Sequence, residues 1–258
     1  MGAICPSGNQ MKILVLPDVQ AKSGNDFSFL TSIGNYIIAK KPDVIVNIGD
    51  FADMESLSTY DRGLKSFEGR SYQKDIWSAR EAMDALLTPL YDYNKAMKKQ
   101  KQKAYKPRMV LTLGNHENRI NRAVNEDRKL DGLISLDDLP YQDWEVHDFL
   151  EVVVIEGIAF SHYFTSGAMG RPVGTAAALL SKKHMSCIAG HQQGRQIAFA
   201  KRADGKDMTA LIIGSCYEHD EDYMSDNNYW RGLYLLHNCA DGGFDECAVP
   251  LSYIKEHY

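Results

Sequence analysis

Nine side chains of the kind that bind cations or move protons recur in one setting along this chain. Asp18 and Gln20 follow an apolar run at residues 12–17, Asp50 and Asp53 follow 43–48, and Asn115 and His116 follow 109–113. His162 closes the run 158–162, and His191 with Gln193 closes 187–191. Short apolar runs of this length read as strands, and in open α/β sheets ligands gather beyond the C-terminal ends of strands. Carboxylates, imidazoles and amide oxygens in that position are donors for divalent cations. Taken singly, each has a structural explanation: Asp18 and Asp50 could cap helices, Asn115 could shape a turn, and His162 could be a hydrogen-bonded core histidine. In this order, each after an apolar strand, they point to metal chemistry.

The elements that must position these residues follow from periodicity. The β-branched runs at 12–17 and 43–48 flank an amphipathic stretch at 27–40, which makes a βαβ unit and therefore a parallel sheet covered on both faces. Ile76, Ala79, Met83, Leu86, Leu87 and Leu90 recur at helical spacing within 72–103, with Pro89 as a kink. A third strand at 109–113 and a helix at 118–129 follow. Beyond residue 143 the texture becomes β-rich, with strand-length segments at 151–155, 158–162, 187–191, 196–201, 210–215, 233–238 and 244–249. One helical stretch, 174–183, interrupts them. An α/β first half and a β-rich second half predict two sheets packed face to face with helices outside.

At 258 residues, a single domain over 11–258 is expected, with 1–10 as an N-terminal extension or an upstream start, because Met11 opens the first strand. A net charge of -5 excludes coating of nucleic acid by overall charge, so any such contact needs a local patch. The only charge run is the lysine-rich stretch 95–108. Five cysteines without a CxxC pair predict a reduced chain with no cysteine-zinc site. No apolar stretch is long enough to span a membrane, no signal peptide opens the chain, and Pro6 breaks the myristoylation pattern; a cytoplasmic protein is expected, without a membrane partner.

The ordered motifs Asp18-Val19-Gln20, Gly49-Asp50-Phe51-Ala52-Asp53, Gly114-Asn115-His116-Glu117, His162 and Gly190-His191-Gln192-Gln193 resemble those of the calcineurin-like metallophosphoesterase family. Ser56-Leu57-Ser58, the long helix after it, and the Asn118-Arg119 that follows Glu117 are similar to bacteriophage-encoded members. The resemblance implies an α/β fold, a four-layer α/β/β/α sandwich of two mixed sheets. It also implies two divalent metal ions about 3.5 to 4 Å apart, which neutralise phosphate charge and make a nucleophile of water near neutral pH. Asp50 would bridge them, with Asp18, Gln20 and Gln193 on one ion and Asn115, His162 and His191 on the other. His116 would serve the leaving oxygen as a non-ligand, oriented by Asp53.

Two departures from the family pattern stand out. Positions 20 and 193 carry glutamine where histidines would hold the first ion, which implies a site rebuilt on oxygen donors or one emptied of its cation. Oxygen donors favour Mn over Zn, with Mg, Ca or Fe as further options. Met54 replaces the phosphate-holding arginine of the family's protein phosphatases. The expectation is therefore a phosphodiesterase acting on nucleotides or on nucleic acid, DNA or RNA. The alternatives are a phosphomonoesterase or protein phosphatase, and a non-catalytic metal-binding module. Arg119, one helical turn after His116, is the candidate for a substrate phosphate, with a helix-surface arginine as its alternative. The loop 165–174 would border the substrate or form a plain connection, and the acidic tract 218–226 with Tyr217 and Tyr223 would repel nucleic acid or form a solvated loop.

Overall fold

The computed structural model describes residues 11–59, 67–167, 169–219 and 229–258. The expected extension at 1–10 and most of the acidic tract, Tyr223 included, lie outside the described residues.

Strand β1 (Met11–Leu16) alternates Ile13 and Val15 with Leu14 and Leu16, and all four side chains are buried. A strand apolar on both faces belongs inside a sheet covered on both sides. Helix α1 (Ser28–Lys40) follows and docks through Phe29, Leu30, Ile33 and Ile37. Strand β2 (Val44–Asn47) then pairs in parallel with β1, Leu14 opposite Ile45. Helix α2 (Tyr72–Lys99) is capped by Ser71, whose Oγ accepts from the Lys74 N–H, and it stays helical through Pro89. Proline lacks an N–H and so frees the carbonyl four residues earlier. That carbonyl, of Ala85, accepts from Thr31 Oγ1 of α1 at 3.3 Å. Gly34 permits the contact, since a Cβ there would lie 2.5 Å from Leu86 O and 2.8 Å from Pro89 Cγ. Pro89 thus marks the point where α1 and α2 touch.

Strand β3 (Arg108–Thr112) joins β2 in parallel, followed by α3 (Asn118–Glu126). A short β4 (Glu145–His147), not expected from the sequence, pairs in parallel outside β3. The second sheet is built from β5 (Val153–Ile155), β6 (Ile158–Ser161), β9 (Cys187–Ala189), β10 (Arg195–Lys201) and β11 (Asp207–Ile213), in the order β10-β11-β9-β6-β5. Between β6 and β9 lie a small hairpin, β7 (Thr165–Ser166) with β8 (Arg171–Pro172), and α4 (Ala176–Lys183). The last two strands, β12 (Gly232–Ala240) and β13 (Gly243–Pro250), return to the first sheet, whose order is β13-β12-β1-β2-β3-β4; α5 (Leu251–His257) follows. β12 runs antiparallel to β1 while β2 and β3 run parallel to it. In the other sheet β9 is parallel to both its neighbours and the outer pairs are antiparallel, so both sheets are mixed.

Three apolar clusters define the layers. Leu14, Leu16, Ile45, Leu111 and Leu235 pack against α1, α2 and α5. Ile13, Val15, Val46 and Val110 meet Phe160, Ile188, Leu211 and Ile213 between the sheets. Ala159, Cys187, Ala210 and Ile212 pack against Leu179 and Leu180 of α4. Helices, sheet, sheet and helix form four layers. Among the described residues no helix is long and apolar enough to cross a membrane.

Candidate metal centre

The loops leaving β1 and β2 are tied to each other. Gln20 N and Ala21 N donate to Asp50 O and Phe51 O, each at 2.8 Å, and Asp53 N donates to Ala21 O at 3.0 Å. Gln20, Asp50, Met54, His191 and Gln193 all have a left-handed backbone, with φ between 46° and 67°. Non-glycine residues avoid that region, and it is held only where surrounding structure enforces it. One enforcing group is Glu117, fully buried, whose carboxylate accepts from Asp50 N and Gly114 N through Oε2, and from Ala52 N and Tyr141 Oη through Oε1, at 2.9 to 3.0 Å. Gly114 permits the close approach, since a Cβ there would stand 2.0 Å from Asp50 Oδ1.

His162, also fully buried, donates from Nδ1 to Ile48 O at 2.9 Å. In the neutral ring this places the lone pair on Nε2, which faces Asn115 Oδ1 at 2.9 Å and Asp50 Oδ2 at 3.2 Å. Three acceptors in mutual contact need a proton or a cation among them. Without a metal the proton takes that place: burial opposes a charged ring, but Asp50 outweighs it and His162 rises to about 9. His191 completes the group, for its ligand atom lies within 4.8 Å of those of Asp50 and His162. Burial first, and His162 second, lower His191 to about 4, so its ring is neutral and able to coordinate at pH 7.

On the other side of Asp50, the Asp18 carboxylate accepts from His191 N at 3.2 Å through Oδ1, while Oδ2 is buried without a hydrogen-bond partner among the described residues. Both amide atoms of Gln20 are buried and unpartnered as well. Buried polar groups normally find partners, so this set fits a cation by its own chemistry. Burial and the nearby Asp50 charge push Asp18 up to about 7. Burial acts the same way on Asp50, but His116 and His162 hold Asp50 below the usual carboxylate range. Gln193 is less free than the sequence reading has it: its Oε1 accepts from Tyr217 Oη at 2.7 Å.

His116 stands apart from these donors. Its backbone N–H donates to Asp50 Oδ1 at 2.8 Å, and its Nδ1 lies 2.5 Å from Asp53 Oδ1, near enough for an ion pair though not aligned as a hydrogen bond. Arg119 does not project freely into solvent. One guanidinium nitrogen donates to Asp53 O at 2.8 Å, and the other lies 3.1 Å from His116 Nε2. Burial lowers the pKa of His116, Asp50 and Asp53 raise it, Arg119 pulls against them, and the net shift is upward. Met54, where an arginine was missed, is fully buried.

The lysine run is placed elsewhere. Tyr105 Oη donates to Pro42 O, just before β2, and Arg108 opens β3, so residues 98–106 lie at the N-terminal edge of the first sheet, opposite the centre. The 165–174 loop is the β7–β8 hairpin, tied to the centre by Gln192 Nε2, which donates to Val173 O at 2.7 Å. Sequence reasoning missed Tyr163, whose ring lies 4.8 Å from that of His191, and Phe149, 6.5 Å from the ring of His162. Adjacency to His162 was the only signal for Tyr163. For Tyr141 and Tyr217, each twenty-four residues from its partner, there was none.

Fold and site together define a class, a four-layer sandwich of mixed sheets with carboxylates, amides and imidazoles converging where strands end. The chain belongs to the calcineurin-like phosphoesterase family, whose model matches residues 11–192. That family consists of metal-dependent hydrolases of phosphoester bonds. Among solved structures the chain is similar to the phosphoesterase Yfce of E. coli, at 12% identity and TM-score 0.39, covering 93% of this chain and 100% of that one. It is also similar to a dimetal phosphatase of Danio rerio, at 10% identity and TM-score 0.45, covering 95% and 97%. No curated protein matches the chain.

Proposed function

We propose that this protein hydrolyses phosphodiesters of nucleic acid or nucleotides at a two-cation site that works with Mn²⁺. The observation that carries the reading is the position of Asp50, with orphaned Asp18 and Gln20 atoms on one side and the His162, Asn115 and His191 donors on the other. Asp50 would hold both cations, Asp18, Gln20 and Gln193 one of them, and Asn115, His162 and His191 the other. Bound there, the cations supply charge neutralisation for the phosphate and acidify water.

The chain's own residues do the rest. As the P–O bond to the leaving group breaks and the bond to the water oxygen forms, His116 Nε2 gives its proton to the leaving oxygen. Asp53 holds the ring from its Nδ1 side; because a guanidinium only donates, Arg119 must move off Nε2 for that nitrogen to carry the proton, and its nearby charge then favours the proton's release. A non-catalytic metal module would have no use for this arrangement. The absence of the phosphate-holding arginine at Met54 favours a diester over a phosphoprotein. The bacteriophage-type reading rests on motif context alone, Ser56-Leu57-Ser58 and Asn118-Arg119. The test is turnover of bis-p-nitrophenyl phosphate against p-nitrophenyl phosphate, with and without added Mn²⁺. Metal-dependent preference for the diester is expected, and preference for the monoester would favour the phosphomonoesterase instead.

A further inference from the structure

A cavity of about 310 Å³, lined among others by Ser56, Thr59, Arg119, Arg122, Glu126 and Asp127, adjoins His116 through Arg119, whose guanidinium lies 3.1 Å from the His116 ring. Arg119 and Arg122 are three apart on α3 and therefore share a face. Their situations differ. Arg119 is committed to Asp53 and His116. Among the described residues Arg122 makes one hydrogen bond, a long one of 3.4 Å to Thr59 Oγ1, and no carboxylate forms an ion pair with it. An exposed guanidinium held by one long hydrogen bond, in a groove it shares with Arg119, is a fork for a phosphate.

The groove's position gives that phosphate an address. His116 faces the leaving oxygen in the function proposed above, on which this inference rests, so the leaving portion of the substrate runs along α3 toward Arg122. In a nucleic-acid strand the leaving nucleotide carries the next phosphate. We infer that Arg122, with Thr59 Oγ1, forms a subsite for the phosphate next to the scissile one on the leaving-group side.

The experiment compares wild type with Arg122→Gln and Arg122→Lys in Mn²⁺ on bis-p-nitrophenyl phosphate, on thymidylyl-thymidine, and on that dinucleotide carrying one extra phosphate at its 5′ or its 3′ end. Wild type should prefer one of the two extended dinucleotides. R122Q should raise KM for that substrate on the order of tenfold, as expected for loss of a charge-assisted contact, with kcat little changed. R122K should recover part of it, and the chromogenic diester, which has no second phosphate, should be processed at the wild-type kcat/KM. Equal losses on all substrates would mean a structural role for Arg122. No preference for either extended dinucleotide, or no effect of R122Q on it, would overturn the subsite while leaving diester hydrolysis standing. Failure of wild type to cleave bis-p-nitrophenyl phosphate at all would bring down the parent reading and the subsite with it.

Discussion

Asp53 holds His116 by its Nδ1 edge, Oδ1 at 2.5 Å, while Asp53's own backbone carbonyl accepts from Arg119 at 2.8 Å. Carboxylate, imidazole and guanidinium thus form a closed chain in which each member fixes the next. The imidazole is left with one orientation, Nε2 toward Arg119 and the Asp50 carboxylate.

His116→Ala should depress kcat by about 10²- to 10⁴-fold, or about 3 to 5 kcal/mol of barrier, because a proton must then reach the leaving oxygen from solvent. Metal content should stay near wild type, since His116 is not among the proposed ligands. Asp53→Asn should lower kcat less, as orientation weakens but the ring remains. Unchanged kcat in His116→Ala would remove it from the chemistry.

Glu117 gathers three backbone N–H groups and the Tyr141 hydroxyl onto one buried carboxylate. Glu117→Ala should destabilise the fold by about 3 to 5 kcal/mol, because several buried donors lose their acceptor at about 1 to 3 kcal/mol each without full additivity. Tyr141→Phe removes one hydrogen bond to that carboxylate and should cost about 1.5 to 3 kcal/mol. Urea denaturation measures both. A Glu117→Ala midpoint close to wild type would mean that the Asp50 loop keeps its strained backbone by other means.

Much of this was readable because each relevant residue follows an apolar run. β1, β2 and β3 announce themselves by β-branched alternation, α1 and α2 by helical spacing, and the donors by their places just after the strands. Partner choice was not readable in the same way. Leu233 to Leu236 is apolar on both faces, which says that β12 is internal to a sheet, yet nothing local says that it pairs with β1 rather than with β11. β4 has two exposed residues of three and lacks an apolar signature. Glu117 is visible in the sequence as a motif letter, but its function lies in accepting from residues 50 and 52, a contact that spans more than sixty positions. The same distance problem hides Tyr217 from Gln193.

A pH effect on stability is expected from Asp75, buried in the first turn of α2, which accepts from Ser56 N at 3.0 Å and Ser56 Oγ at 2.5 Å. Burial raises it from 3.8 to about 6, against the pull of those two hydrogen bonds. A carboxyl whose folded pKa exceeds its unfolded value contributes stability fully present below the unfolded pKa and lost as pH rises through the folded one. Wild type should therefore lose stability between pH 4 and 7 relative to Asp75→Asn, which does not titrate, by on the order of 3 kcal/mol. Urea melts of both proteins at pH 4, 5.5 and 7 measure the difference. Parallel curves would show that Asp75 titrates normally.

The glutamines predict which metal works. Asp18, Asp50 and Gln20 offer oxygen to one cation, and carbonyl and carboxylate oxygens suit Mn²⁺, Mg²⁺ or Ca²⁺ better than Zn²⁺. Gln193 joins them either through the second lone pair of its oxygen, which now accepts from Tyr217, or after its amide turns over. A phenol accepts as well as donates, so the turned amide keeps that contact through Nε2 and presents Oε1 to the site. The side bearing His162 and His191 should bind transition metals more tightly, giving unequal affinities and a first site that empties on dilution. Tyr217→Phe removes the competing hydroxyl and should leave first-site affinity equal or stronger. Gln20→His with Gln193→His should tighten that site and move its preference toward Zn²⁺, as metal analysis after dialysis would show. Two tightly held Zn²⁺ ions per wild-type chain would refute the oxygen-donor argument, because the amides would then be coordinating as well as the histidines they replace.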